Sequence, residues 1–170
     1  NTLKKIGSQV HWDDDVEEMI SLKNSGILHK DPLRFEEDTN IVVKCLIFDA
    51  EDRLLLLKRR DSGEKWDIPG GHVKEIETQR GKWGLHDGLE REVAEETGII
   101  LPNEQEFFNF EFKSTKIYTF LSKMSGAKPK VDLTLQDPQE NIDYAWANID
   151  GLQYFMQNMT FVAQNTIEKF

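Results

Sequence analysis

The sequence is poor in cysteine and has no long apolar run. Cys45 is the single cysteine among 170 residues, so no disulfide can form within the chain, which suits a reducing compartment such as the cytosol. No apolar run approaches the ~20 residues that a membrane-spanning helix needs, and no signal peptide is visible. We therefore expect a cytoplasmic protein that does not associate with a membrane.

Positive charge is also scarce. The chain has 21 Lys and Arg residues against 31 Asp and Glu residues, which gives a formal net charge of −10 at pH 7. A surface of this sign disfavours binding to the nucleic-acid backbone or to an anionic membrane. We therefore do not expect nucleic acid as a partner. An anionic small molecule would need a site whose local sign is reversed by bound cations.

The first forty residues differ in pattern from the rest, and we expect a boundary near residue 40. Within residues 1–40, three aspartates at 13–15 are typical of the start of a short amphipathic helix, which Gly26 ends. This N-terminal extension could pack on the core or on a second copy of the chain, so a homodimer is one expectation. Residues 41–170 are long enough for one domain with a sizeable core.

Residues 41–170 contain both strand and helix patterns. The β-branched apolar run at 41–48 and the leucines at 54–57 predict two buried strands joined by a turn, hence a hairpin. Residues 116–124 predict the hairpin partner of a strand with one aromatic face. Either core packing or base stacking would explain its three aromatic residues, Phe108, Phe110 and Phe112. A last helix is predicted with an apolar side made of Phe155, Met159, Val162 and Ile167.

Three carboxylates share one face of a predicted helix that ends at Gly98, a typical C-cap residue. Glu95 and Glu96 follow Glu92 by three and four residues, so they lie one turn above it and the like charges repel. A solvated acidic helix face is the simplest interpretation. The alternative is a site for a hard cation such as Mg²⁺, which takes carboxylate oxygens, waters and substrate phosphates.

The stretch from Gly71 to Ile99 resembles the Nudix box, whose pattern is G-x5-E-x7-R-E-U-x-E-E-x-G-U with U aliphatic. Gly71 followed by five residues gives Glu77, and residues 91–99 (REVAEETGI) match the second half at every specified place. Thirteen residues, 78–90, separate the two halves instead of seven. We expect the additional residues to form a loop at 79–84, with the helix beginning near Gly84 or Leu85.

The resemblance implies an α/β protein with a Nudix-type α/β/α sandwich and a mixed central sheet. It implies Mg²⁺ as cofactor, with Mn²⁺ as an alternative. The expected metal site consists of Glu92, Glu95 and Glu96 with the carbonyl of Gly71. Glu77 would help to organise this site and pair with Arg91.

The resemblance also implies a function. We expect a metal-dependent pyrophosphohydrolase that cleaves a nucleoside diphosphate linked to another moiety, by attack of water on a phosphorus. Glu95, or else Glu140 outside the box, would accept the proton of the water, with Glu92 and Arg91 completing the catalytic set. Two alternatives stay open: a non-catalytic Nudix module that binds a nucleotide or a protein partner, and an RNA 5′-end pyrophosphohydrolase.

Substrate contacts are expected from two places. Arg59 or Arg60, which follow the second strand, could touch a substrate phosphate, although both could equally be a solvated strand end. Trp83, in the predicted loop, could close over a base or a phosphate, and a simple surface bulge is the alternative. The small-molecule substrate itself is not specified by the sequence.

Overall fold

The computed structural model describes residues 40–61 and 63–170. The helix predicted after residues 13–15, and with it any dimer contact made by the N-terminal extension, lies outside these residues. Among the residues described, no helix combines the length and the apolar character needed to cross a membrane.

A mixed β-sheet forms the centre of the described chain. It has seven strands, in the order β3-β2-β1-β6-β5, with β4 paired to β1 and β7 paired to β2. β1 and β6 are parallel, and the other pairs are antiparallel. The strands are β1 (Asn40–Phe48), β2 (Leu54–Arg59), β3 (Trp66–Asp67), β4 (Gly70–His72), β5 (Gln105–Phe112), β6 (Thr115–Lys123) and β7 (Asn141–Ala147).

Helices cover both faces of the sheet because β1 is buried on both faces. Its odd-numbered residues pack on α2 through the buried side chains of Leu85, Leu89 and Val93. Its even-numbered residues from Leu46 onward pack on α3 and α4. The helices are α1 (Glu75–Thr78), α2 (Lys82–Thr97), α3 (Ile149–Met156) and α4 (Phe161–Lys169), and a 3₁₀ turn spans Leu133–Leu135. The α/β/α sandwich with a mixed sheet is confirmed.

Several local predictions are also confirmed. β1 and β2 pair as predicted, although their pairing is limited to Phe48 and Leu54, and most of β2 pairs with β7 instead. β5 and β6 form the second predicted hairpin. Cys45 is fully buried, and burial raises the pKa of its thiol.

Two predicted elements are wrong. The single last helix is two helices, since Thr160 begins α4 by accepting a hydrogen bond from the Ala163 amide at 3.2 Å. Half of the loop predicted at 79–84 is helical: α2 begins at Lys82, and only residues 79–81 separate it from α1. The reason is Gly84, whose missing side chain lets α1 lie directly against α2, as described below.

Candidate active site

Arg91 is the centre of the charged site on α2. Its Nε and Nη2 atoms donate to the two carboxylate oxygens of Glu77, each at 2.9 Å, as a bidentate pair. Its Nη1 donates to Glu92 at 3.0 Å and to Glu95 at 3.3 Å. The carbonyl of His72 accepts a further bond from Nη2 at 2.9 Å. The predicted pairing of Glu77 with Arg91 is therefore present, in spite of the thirteen residues between them.

Two glycines on α2 bring Glu77 to Arg91. A Cβ atom at Gly84 would lie 1.6 Å from the carbonyl oxygen of Glu77, and one at Gly88 would lie 3.2 Å from its Oε1. Residues 84 and 88 are four apart and 91 is three further, so all three share one side of the helix. The chain at Glu77 thus packs into the groove that the glycines leave, and its carboxylate ends beside the guanidinium.

Glu77 is held by hydrogen bonds on both oxygens. Besides Arg91, the backbone amide of Lys74 donates to Oε1 at 2.8 Å. Partial burial alone would raise the pKa of Glu77, but the bonds from Arg91 and Lys74 and the charge of Arg91 outweigh it and lower the pKa. Glu77 therefore stays ionised and orients Arg91 in this arrangement.

Glu92 lies against the glycine turn that precedes the helix. A Cβ atom at Gly71 would come within 2.5 Å of the Glu92 carboxylate, so a side chain there would displace this carboxylate. Burial raises the pKa of Glu92, pairing with Arg91 opposes this, and the charges of Glu95 and Glu140 raise it further. The structure thus brings Glu140, from the loop before β7, close to the carboxylates of the box.

Glu96 differs from the other two carboxylates. A solvated acidic helix face, the simplest interpretation of the helical spacing, is wrong for this residue, which is only 6% exposed. Its oxygens accept bonds from the Gly70 amide at 2.8 Å and from Asn141 Nδ2 at 3.0 Å. Burial raises its pKa to about 7, against the lowering effects of Lys44, Gly70 and Asn141. Glu96 therefore joins α2 to both β4 and β7.

The donor set fits a hard divalent cation, although the side chains do not surround one as they stand. Among residues 40–61 and 63–170, no three His, Cys, Asp or Glu side chains converge on one point. Arg91 instead binds both Glu92 and Glu95. Carboxylates are nevertheless the ligands that Mg²⁺ prefers, and the backbone of Gly71 lies directly against one of them.

A cavity of about 460 Å³ is lined by the glycine turn, by the sheet and by α4. Gly70, Gly71 and Glu140 line one end of it, next to the charged site on α2. Phe112, the last residue of β5, and Lys113, in the turn that follows it, line the cavity as well. The volume lies in the range of small-molecule sites in proteins.

Charged residues that are joined by hydrogen bonds also line the cavity. Lys44 of β1 is buried and donates to Asp67 at 3.0 Å and to the carbonyl of Ile68 at 3.2 Å. Arg59 donates to Asp67 at 3.3 Å and also lines the cavity. We call Lys44, Arg59 and Asp67 the cavity floor. The sequence signal for Lys44 was a single cation inside an apolar strand, and that for Asp67 was an acid directly before the box.

Two predicted substrate contacts are not at the cavity. Arg60 is exposed and does not line it, although its amide donates to the carbonyl of Glu140 at 2.8 Å. Trp83 is only 7% exposed and packs beside the ring of His86 in the first turn of α2. The prediction of Trp83 as a surface-loop residue is wrong, because α2 begins before it.

Comparison with known proteins places this site in a family. A model described as "NUDIX domain" matches residues 38–170. The MutT protein of Methanosarcina mazei Go1 has a similar structure, with a TM-score of 0.57 and 27% identity over 80% of this chain and 95% of that one. The NUDIX domain of Shewanella oneidensis NrtR, solved with ADP ribose, shares the fold, with a TM-score of 0.60 and 16% identity over 90% and 94%.

A curated relative, the RNA pyrophosphohydrolase of Wolbachia pipientis subsp. Culex pipiens, is 23% identical over 129 residues. That match spans 69% of this chain and 79% of the relative. Because the family model covers well over half of the sequence, the chain belongs to the NUDIX domain family, the Nudix hydrolases.

Proposed function

We propose that the protein is a metal-dependent pyrophosphohydrolase that cleaves a nucleoside diphosphate linked to another moiety. One observation carries this proposal: the Gly70–Gly71 turn lines a nucleotide-sized cavity and also lies against the carboxylate of Glu92, which Arg91 holds. A nucleotide in that cavity would place its phosphates at the turn.

The residues that would hold Mg²⁺, or Mn²⁺ as the alternative, are Glu92, Glu95 and Glu96 with the carbonyl of Gly71. When bound, such a cation neutralises phosphate charge and lowers the pKa of a bound water. Glu96 is already fixed by Gly70 and Asn141, and each of its oxygens keeps a second lone pair. Glu92 and Glu95 would each replace a hydrogen bond from Arg91 by a bond to the cation, and Glu77 would keep Arg91 in place.

In the reaction, a water oxygen forms a bond to one phosphorus while the bond from that phosphorus to the bridging oxygen breaks. Glu95 accepts the proton of the water, and Glu140 is the second candidate for this role because it is exposed and lies near Glu92. The products are a nucleotide and the phosphorylated second moiety. Arg59, which lines the cavity, is the substrate contact that the geometry supports better than Arg60.

A second candidate is hydrolysis at the 5′ end of RNA. The Wolbachia relative that carries this name favours it. The net charge of −10 argues against it, because a polynucleotide backbone would be repelled outside the immediate site.

A substrate panel tests the proposal. Nucleoside triphosphates, nucleotide sugars, ADP-ribose, dinucleotides and a 5′-triphosphorylated RNA would be incubated with Mg²⁺, with Mn²⁺ or with EDTA. We expect cleavage of one small-molecule class that EDTA abolishes. Turnover of the RNA alone would favour the second candidate.

A matched pair of variants locates the chemistry. Glu95→Gln should lower kcat roughly 10²- to 10⁴-fold, the range for losing a general base, with an unchanged circular-dichroism spectrum. Glu90→Gln, on the exposed side of the same helix, should keep the wild-type rate. Equal rates for both variants would contradict the assignment of Glu95.

A further inference from the structure

The hydrogen-bonding capacity of Asp67 is fully used within the protein. Its Oδ1 accepts from the Ile68 amide at 2.8 Å and from the Thr160 hydroxyl at 3.0 Å. Its Oδ2 accepts from Lys44 and from Arg59. A carboxylate has roughly four acceptor positions, and all are occupied. Asp67 therefore has no lone pair to offer to a ligand in the cavity.

The two cations of the floor still have protons to donate. Lys44 has three, of which Asp67 and the Ile68 carbonyl take two among the described residues. Arg59 has five, and its bonds to Asp61 and Asp67 use three. The Thr160 hydroxyl gives its single proton to Asp67. A ligand that reaches the floor meets mainly donors, so it must present acceptors.

The walls of the cavity suit a flat ring. Val42 and Ile117, which are paired on neighbouring strands, and Val162 line it with aliphatic surface. Phe112 adds an aromatic ring, which stacks on the exposed ring of Phe161 with centroids 4.6 Å apart. A phosphate group would leave these apolar walls unused, whereas a heterocycle would cover them.

We propose that this cavity recognises a 6-oxopurine base, as in guanine or hypoxanthine nucleotides, through donors from Lys44 and Arg59 to its O6 and N7 atoms. This edge carries two adjacent acceptors, whereas adenine has an amino donor in place of O6. Lys and Arg are the side chains that bind the O6/N7 edge most often. The inference deepens the proposed function, on which it rests for the nucleotide ligand, and names its substrate class.

Binding of matched nucleotides tests this inference without any turnover. Wild-type full-length protein, labelled with ¹⁵N, would be titrated in EDTA with IMP, AMP, GMP and 7-deaza-GMP and followed by NMR. IMP differs from AMP at the 6-position and the adjacent N1 proton, and 7-deaza-GMP lacks only the N7 acceptor of GMP. We expect IMP to bind about 5- to 100-fold more tightly than AMP, and GMP more tightly than 7-deaza-GMP. Equal or tighter binding of AMP, or no binding of any of the four, would overturn the proposal.

Two lysine variants locate the selectivity. Lys44→Met should bring the IMP/AMP ratio close to one. Lys113→Met, at the rim of the same cavity where the ammonium lies 5.1 Å from the ring centre of Phe112, should weaken both nucleotides and keep the ratio. If Lys44→Met kept the IMP/AMP ratio of the wild type, Lys44 would not recognise the base. If that variant does not fold, the ratios measured on the wild-type protein decide. If the protein bound IMP and GMP selectively but cleaved no compound of the substrate panel, only the proposed function would be contradicted.

Discussion

In residues 82–89 the helix α2 is a packing element, whereas in residues 90–97 the same helix carries charge. The first half buries Leu85 and Leu89 against the sheet and Trp83 beside His86, and it presents glycines to α1. The second half contains Arg91 and four glutamates, of which Glu96 is buried. Apolar burial stabilises a protein by roughly 25 cal/mol per Å². Clustered and buried carboxylates have the opposite effect.

The difference shows how the second half depends on the first. Gly84 and Gly88 admit Glu77, Glu77 fixes Arg91, and Arg91 holds Glu92 and Glu95. The packing half therefore determines where the charged half places its carboxylates, although it contains no residue that would touch a substrate. Substitutions in the packing half should therefore change catalysis only where they move Glu77, and the predictions below test this dependence.

The largest expected effect on stability comes from Trp83→Ala in the packing half. Removing a buried Trp side chain typically lowers the free energy of unfolding by about 3 to 5 kcal/mol. Because Trp83 does not line the cavity, kcat and KM measured well below the melting temperature should stay within about twofold of wild type. Chemical denaturation and steady-state kinetics on the same preparation check both. A raised KM with unchanged stability would restore Trp83 as a substrate contact.

The charged half should give the protein a pH-dependent stability in the absence of metal. The pKa of Glu96 is raised from an ordinary 4.5 to about 7 in the folded state, mainly by burial. The folded state thus binds more protons at this carboxyl than the unfolded state between these values, so the contribution of Glu96 to stability is largest below pH 4.5 and falls as the pH rises to 7. A shift of this size corresponds to at most about 3 kcal/mol.

Urea denaturation in EDTA at a series of pH values would measure this loss. Glu96→Gln should remove most of the dependence between pH 5 and 7, since a neutral amide does not titrate. The partly buried Glu92, whose pKa is also raised, accounts for the remainder. Stability that rises with pH in both proteins would contradict the buried, unneutralised state of Glu96.

The sequence predicted the parts of this site that depend on local pattern. Helical spacing placed Glu92 and Glu95 together, and the αL conformation at Gly98 ends α2 as predicted. The sequence could not predict the burial of Glu96, because helical spacing does not show which strands pack against a given turn of the helix. Lys44 was missed for a related reason: β1 is covered on both faces, so its pattern does not reveal the position that opens into a cavity.

The start of α2 was missed because glycine has two opposite uses. Two glycines within residues 79–84 indicated a loop, since glycine disfavours a helix by about 1 kcal/mol relative to alanine. Gly84 is inside the helix because the backbone of Glu77 lies against it. Only the contact between Gly84 and the backbone of Glu77 distinguishes the two uses. The pattern of residue types along the chain does not encode this contact.

Gly84→Ala should have a smaller effect on stability than Trp83→Ala, and it is the sharpest test of the link between the two halves. The new Cβ would lie 1.6 Å from a backbone oxygen of Glu77, so α1 has to move. Such overpacking costs about 1 to 3 kcal/mol and here outweighs the helix propensity gained. Displacing Glu77 releases Arg91, so kcat should fall although residue 84 is two turns from the carboxylates.

Gly88→Ala is the matched control for this prediction, because its Cβ would meet only side-chain atoms of Glu77 and Val73 at 3.2 Å. These atoms can shift by a few tenths of an ångström, so stability should change by less than about 1 kcal/mol and kcat only slightly. Measured together, the two variants should differ both in denaturation midpoint and in rate. If Gly84→Ala were as stable and as active as Gly88→Ala, α1 would not be the element that positions Arg91.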